Sequence, residues 1–173
     1  MTSATHGDGT LVAPAGSSLV ADAVLPSEAR VAIVASRYHS EVIQQLLNGA
    51  LEAVVEAGLE AANADVIHAA GAFELGLLAR EAAQSGRYVA VAALGCVIRG
   101  GTPHFEYVCS EASRAMTLAA LDTGVPIGFG LITCDTPEQA WERAGGSDGN
   151  KGAEAMAAAL ASARTLAALR ARN

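Results

Sequence analysis

The stretch RVAIVASRYHSEVIQQLLNGALEAVVEAG, Arg30 to Gly58, decides the fold. Its first part, Val31 to Ala35, is a continuous apolar run of strand length rather than an alternating one, and such a run predicts a strand buried on both faces. Ser36 to Ser40 interrupts it with polar and charged side chains. From Glu41 to Ala57 the period changes: Val42, Ile43, Leu46, Leu47, Ala50, Leu51, Val54 and Val55 recur at helical spacing. Ser40 is placed to cap this helix and Gly58 to end it. A buried strand followed by an amphipathic helix is the repeating unit of a parallel sheet.

Outward from this unit the alternation continues. Strand character returns over Asp65–Ala70, Tyr88–Leu94 and Val125–Thr133. Helical character covers Glu74–Ser85, closed by Gly86, then His104–Thr123, then Pro137–Ala144, and finally the Ala-rich Lys151–Arg170. Thr136 caps the short helix, with Pro137 in its first position. Continuous apolar strands alternating with helices predict an α/β fold, a parallel sheet covered on both faces with right-handed crossovers. Before Arg30 the pattern stops. Residues 1–28, rich in Gly, Ser, Thr and Ala with Pro14 and Pro26, read as an N-terminal arm beside a single domain over 29–173. Within the arm, Leu19-Val20 and Ala23–Leu25 are the segments of strand character.

Composition narrows the class. Hydrophobic residues are 51% of 173 and charged residues 17%, with a mean hydropathy of +0.31. No apolar run approaches the ~20 residues that a membrane span needs, so the richness predicts buried parallel strands and an oligomer interface. The net charge is −7, there is no basic tract, and aromatics are 4%; this excludes a nucleic-acid footprint. Cys96, Cys109 and Cys134 are odd in number and lack CxxC spacing, which argues against a disulfide scaffold or a zinc site. The N-terminus has no basic segment before an apolar run, so a cytoplasmic chain is expected.

In a parallel sheet ligands sit outside the carboxyl ends of the strands, so the segments to inspect are those that follow strands. Gly95 to Tyr107 is the densest: a strand enters a glycine-rich turn and a helix starts at His104. Backbone N–H groups, the helix dipole, Gly100, Gly101 and the Thr102 hydroxyl make a candidate phosphate cradle. It is not a nucleotide P-loop. A plain strand-to-helix turn would carry the same glycines. His104 beside it is suited to moving protons, since a helix N-terminus favours the neutral imidazole; a surface histidine is the alternative. Glu74, in Gly71-Ala72-Phe73-Glu74, either accepts hydroxyl protons of a polyol or merely complements a helix dipole. Tyr38, followed by His39, can stack on a planar ring or pack at the sheet edge. Arg143 suits a phosphate and Lys151 an oxygen atom, although isolated cations are more often simply solvated.

Several segments together resemble the 6,7-dimethyl-8-ribityllumazine synthase family. ALGCVIRGGTPHFEYV, Ala93 to Val108, is similar to the family's signature nearly residue for residue. GAFEL at Gly71, TGVPIGFGLIT at Thr123, DTPEQAWERAG at Asp135 and GNKGAEA at Gly149 follow in the family's order, and the resemblance spans Arg30 to Leu169. It implies a flavodoxin-like three-layer sandwich with a four-stranded parallel sheet, assembled as a homopentamer, as a stacked pair of pentamers or as an icosahedral capsid of pentamers. It implies a transferase of riboflavin biosynthesis that joins 5-amino-6-(D-ribitylamino)uracil to 3,4-dihydroxy-2-butanone 4-phosphate, releasing water and phosphate without cofactor or metal. Riboflavin synthase is the implied protein partner. By position, His104 matches the proton-transferring histidine. Gly101, Thr102 and a neighbouring subunit's Arg143 match the phosphate site. Tyr38 takes the place of the stacking aromatic, with His39 beside it. Ala72, Phe73 and Glu74 match the residues that hold the ribityl-uracil, and Cys96, Val97 and Ile98 the strand end that lines its ring. Phe129 and Lys151 match the adjacent subunit's contribution.

Three positions depart from the family pattern. Tyr38 stands where Phe or Trp is usual, His39 where Asn is common, and Gly76 where a proline often follows the GAFE-type motif; the last is expected to loosen that helix start. Two other readings stay open: a shell or binding protein without catalysis, and a flavin-binding module.

Overall fold

The computed structural model describes residues 23–172, together with Ala15. The expected Leu19-Val20 strand lies outside the described residues. Ala23–Leu25 forms no strand; the Ala23 N–H instead donates to the Arg164 carbonyl at 3.3 Å.

Four strands make one parallel sheet: β1 (Val31–Ser36), β2 (Ala64–Ala69), β3 (Ala90–Ile98) and β4 (Ile127–Cys134), in the order β2-β1-β3-β4. Among the described residues five helices connect and cover them: α1 (Ser40–Glu56), α2 (Leu75–Gln84), α3 (His104–Thr123), α4 (Pro137–Arg143) and α5 (Lys151–Arg170). All six residues of β1 are buried, as its unbroken apolar run requires for a central strand. Its side chains divide by alternation. Val31, Ile33 and Ala35 pack with α1 and α5, through Leu46, Met156 and Leu160. Ala32 and Val34 pack with α2 and α3, through Leu75, Ala79 and Met116. The result is the three-layer α/β sandwich with a four-stranded sheet that the sequence predicts.

Several local expectations need correction. Ser40 does not cap α1: it is the helix's first residue, and His39 occupies the capping position at φ 56°, with no side-chain cap. β3 begins at Ala90 rather than Tyr88 and continues past Leu94 to Ile98, because β4 pairs with it as far as Ile98–Cys134. The glycine-rich link after α4 is not a plain loop: Ala144–Gly146 (β5) and Gly149–Asn150 (β6) form a small antiparallel hairpin. A short 3₁₀ turn at Ala61–Asn63 precedes β2. Gly76 is buried in α2, and a Cβ there would lie 2.3 Å from the Ala115 Cβ, so the missing side chain lets α2 lie close against α3.

The same device seats α5. A Cβ at Gly128 would lie 2.0 Å from the Ala155 carbonyl oxygen, and one at Gly152 would lie 2.0 Å from that of Leu46. The backbone of α5 therefore rests directly on β4 and on α1, with Ala155, Ala159 and Ala163 on its buried face.

Candidate functional site

β1 pairs with β3 only as far as Ala35–Leu94, whereas β3 runs on beside β4 to Ile98. Gly95 to Ile98 thus have a strand neighbour on one side and none on the β1 side. A sheet of this order reverses its winding between β1 and β3, the place where such folds bind ligands. A cleft of about 280 Å³ opens there.

The walls of the cleft come from the segments that follow β1 and β2, and from the end of β3 with the start of α3. After β1, Tyr38 and His39 line it. His39 sits in the left-handed region at φ 56° and ψ 50°, a conformation that costs a non-glycine residue on the order of 1 kcal/mol; it turns the chain from strand to helix. The Tyr38 ring lies over Gly71, where a Cβ would be 3.5 Å from two of its ring carbons. The ring is otherwise open, with 70% of the residue exposed. After β2, Gly71, Ala72, Phe73 and Glu74 form the second wall. Ala72 is buried and Phe73 is mostly exposed. The Glu74 carboxylate stands close to Gly71, 3.2 Å from a Cβ built there, and so on the same wall as the Tyr38 ring.

The third wall is the free end of β3, Cys96, Val97 and Ile98, facing His104 and Val108 of α3. Cys96 is 3% exposed, and burial pushes its thiol up to about 12. It is held as a neutral thiol and lines the pocket as an apolar group. His104 is the first residue of α3 and is exposed toward the cleft. Gly101 and Thr102 lie in the exposed turn before it, beyond the residues that line the cleft. Among the described residues no group of three His, Cys, Asp or Glu is placed to hold a metal.

Besides Gly101 and Thr102, three expected residues are not in this cleft. Phe129 is 53% exposed. It belongs to a larger, shallower groove of about 470 Å³ between the end of α3, the start of β4 and α5, lined mostly by apolar side chains. Arg143, at the end of α4, donates to the Gln139 carbonyl at 3.0 Å and pairs with Asp148 at 3.2 Å. Lys151, at the start of α5, pairs with Glu154 at 2.7 Å. Asn150 holds this last helix start in place. Its Oδ1 accepts from the Gly152 and Ala153 N–H groups at 2.9 and 3.1 Å, and its Nδ2 donates to the Gln45 carbonyl at 2.8 Å.

Sequence reading passed over Arg99, Asp135 and Asn150. Arg99 joins the end of β3 to its surroundings by pairing with Glu106 and, at 2.7 Å, with Asp135. The available signal was a lone cation between an apolar strand and Gly100-Gly101, with acids at 106 and 135, but spacing along the chain does not reveal that both acids meet it.

Comparison with known proteins agrees with the motifs. The family model described as 6,7-dimethyl-8-ribityllumazine synthase matches residues 28–167. A 6,7-dimethyl-8-ribityllumazine synthase of Desulfovibrio desulfuricans is 48% identical over 137 residues, covering 79% of this chain and 88% of the relative. Those of two Nitratidesulfovibrio vulgaris strains, DP4 and Hildenborough, are each 47% identical with the same coverage.

Proposed function

The chain belongs to the 6,7-dimethyl-8-ribityllumazine synthase family and is a transferase of riboflavin biosynthesis; on that premise we propose that the cleft at the ends of β1, β2 and β3 is where its two substrates, 5-amino-6-(D-ribitylamino)uracil and 3,4-dihydroxy-2-butanone 4-phosphate, are joined. The observation that carries this reading is the meeting of Tyr38, Glu74, the end of β3 that is free on its β1 side, and His104 in one cleft, out of four separate segments.

The pyrimidine stacks on the Tyr38 ring, which is open to receive it. Its edge lies along Cys96 to Ile98, where the β1 side of the strand leaves backbone groups free to pair. Ala72 and Phe73 flank it, and Glu74, with His39 nearby, takes the ribityl hydroxyls. The phosphate of the second substrate rests on Gly101 and Thr102 at the start of α3, where N–H groups and the helix dipole favour an anion. The substrate amine is the nucleophile: it condenses with the ketone to an imine with loss of one water, phosphate is eliminated to leave an enol that ketonises, and the ribitylamino nitrogen closes the ring on that new carbonyl with loss of a second water. The protein's task is then to hold two molecules in register and to move protons. His104, at the cleft and the cradle together, is the group placed for the proton transfers.

Phe129, Arg143 and Lys151 reach the site from a neighbouring subunit. Their positions away from the cleft of their own chain support this, as does the open apolar groove that contains Phe129. The assembly is a homopentamer, and the GNKG connection supports packing of pentamers into an icosahedral capsid, with riboflavin synthase as partner. The domain spans 29–173, preceded by an arm over 1–28, and works in the cytoplasm.

The test is product formation from both substrates by the purified, sized protein, with His104→Ala and Arg143→Ala alongside. Loss of the guanidinium is expected to lower kcat/KM by about 10–100-fold. The His104 variant should be impaired less, because orientation supplies much of the acceleration. An assembled wild type that makes no product, or that carries flavin without turnover, refutes the catalytic reading. Pentamers alone in the size measurement refute the capsid.

A further inference from the structure

The turn that joins β3 to α3 has little packing of its own. A Cβ placed at Gly100 or Gly101 would meet no atom within 4 Å, and Gly100 to Pro103 are exposed. A segment with so few contacts takes its shape from its two ends. One guanidinium holds both of them. Arg99, at the end of β3, donates through Nε to Asp135 Oδ1 at 2.7 Å, beyond the end of β4. Its Nη1 pairs with Glu106 in the first turn of α3, and its Cζ lies 4.1 Å from the centroid of the Phe105 ring. The Arg99 backbone N–H adds a bond to the Cys134 carbonyl at 2.9 Å. The residue before the turn is thus tied to the two residues that follow His104, and both are tied to β4.

We propose that Arg99, with Asp135 and Glu106, is a positioning residue that holds the Gly100–Pro103 turn in the shape that receives the substrate's phosphate and aims His104 at the cleft, without binding the phosphate itself. The proposal rests on the reading of that turn as the phosphate site. Arg99 is the nearest cation in sequence to the cradle, so direct binding is the obvious alternative. Its fork, however, is engaged by two carboxylates, and a cluster of one cation and two anions has no surplus positive charge to offer a dianion. The Glu106 carboxyl is held below its usual range by Arg99, as expected where the pair stays charged.

The two roles predict opposite results when a carboxylate is neutralised. If Arg99 bound phosphate, Asp135→Asn or Glu106→Gln would free the guanidinium and tighten phosphate binding. If it braces the turn, the same changes loosen the turn and weaken binding, even though they remove negative charge. The experiment measures inorganic phosphate binding by calorimetry, and the KM of each substrate, on the assembled wild type, Asp135→Asn, Glu106→Gln, Arg99→Lys and Arg99→Met. The brace predicts that Arg99→Met weakens phosphate binding and raises KM for the phosphorylated substrate by about tenfold, with KM for the pyrimidine within about twofold. Arg99→Lys keeps the charge but loses the fork, and restores binding only in part. The pairs are about half exposed, so melting temperatures should move little, and the two carboxylate variants serve should Arg99→Met not fold. Tighter phosphate binding in Asp135→Asn or Glu106→Gln overturns the proposal, as does unchanged binding across the set. A wild type that binds no phosphate overturns the phosphate-site reading and the brace with it; normal wild-type binding with no effect of the variants overturns the brace alone.

Discussion

At the scale of single residues, the cleft combines exposed groups that can meet a substrate with buried ones that only shape it. Tyr38 and His104 are open, whereas Cys96 is closed off. The nucleophile in the proposed chemistry is the substrate's own amine, so no side chain is required to attack. The Cys96 thiol, pushed up to about 12 by burial, suits that division, since only a thiolate reacts readily. Folded protein treated with an alkylating reagent at pH 8 is therefore expected to keep Cys96 unmodified by mass spectrometry, and Cys96→Ala to stay within about fivefold of wild-type kcat; rapid labelling, or a loss of about a hundredfold or more, would return the thiol to the mechanism. His39 shows a different compromise. It keeps a left-handed conformation that Asn or Gly adopts more readily, so the chain tolerates local strain to place this residue at the cleft.

At the scale of elements, the last helix depends on the absence of side chains. Gly128 and Gly152 let α5 touch β4 and α1 backbone to backbone, and Asn150 both caps α5 and bridges to α1. This gives the GNKG run a physical reason: Asn150 starts the helix, Gly152 brings it against α1, and Lys151 between them is presented outward with its ammonium on Glu154. Gly152→Ala should cost at least about 1–3 kcal/mol in denaturant unfolding, because a methyl group forced against backbone has no flexible neighbour to move. Asn150→Ala should cost about 1–2 kcal/mol through the lost cap. Unchanged midpoints for Gly152→Ala would mean that α5 can shift freely and that its position does not set that of Lys151.

At the scale of the whole molecule, the two ends of the sheet do different work. The cleft lies at the carboxyl ends of the strands. The opposite end is tied by Arg30, Asp65 and Tyr88: Arg30 Nη2 lies 2.6 Å from Asp65 Oδ1, and the Tyr88 hydroxyl donates to Asp65 Oδ2 at 2.8 Å. These contacts join the segments before β1 and β3 to β2. The Asp65 carboxyl is held below its usual range, first by its bond from Arg30 and then by that from Tyr88. Its folded pKa is depressed, so its stabilising effect is present above the unfolded value near 3.8 and is lost as pH falls through the folded value. The Tyr88 hydroxyl is raised, mainly by burial. Its contribution is present below the unfolded value near 10 and is lost as pH rises toward the folded one. Stability should therefore fall on both limbs, and Asp65→Asn should flatten the acid limb measured by thermal unfolding as pH falls from about 5 to about 2. An acid limb identical to wild type would show that Asp65 is not coupled to folding.

Sequence alone determined the element order, the parallel sheet and the segments that carry the site, because continuous apolar runs and helical periods are local properties and the strand ends of such a sheet are where ligands bind. It also placed the start of α3 at His104 and of α5 at Lys151. Only the tertiary structure decided how far β3 extends beyond β1, since that depends on pairing with β4, which follows it by a whole helix. Likewise, only the tertiary structure decided that Gly76 is where α2 lies close against α3, at Ala115. The meeting of Arg99 with Glu106 and Asp135, and the distance of Phe129, Arg143 and Lys151 from their own chain's cleft, are relations between residues far apart along the chain, and no local pattern encodes them.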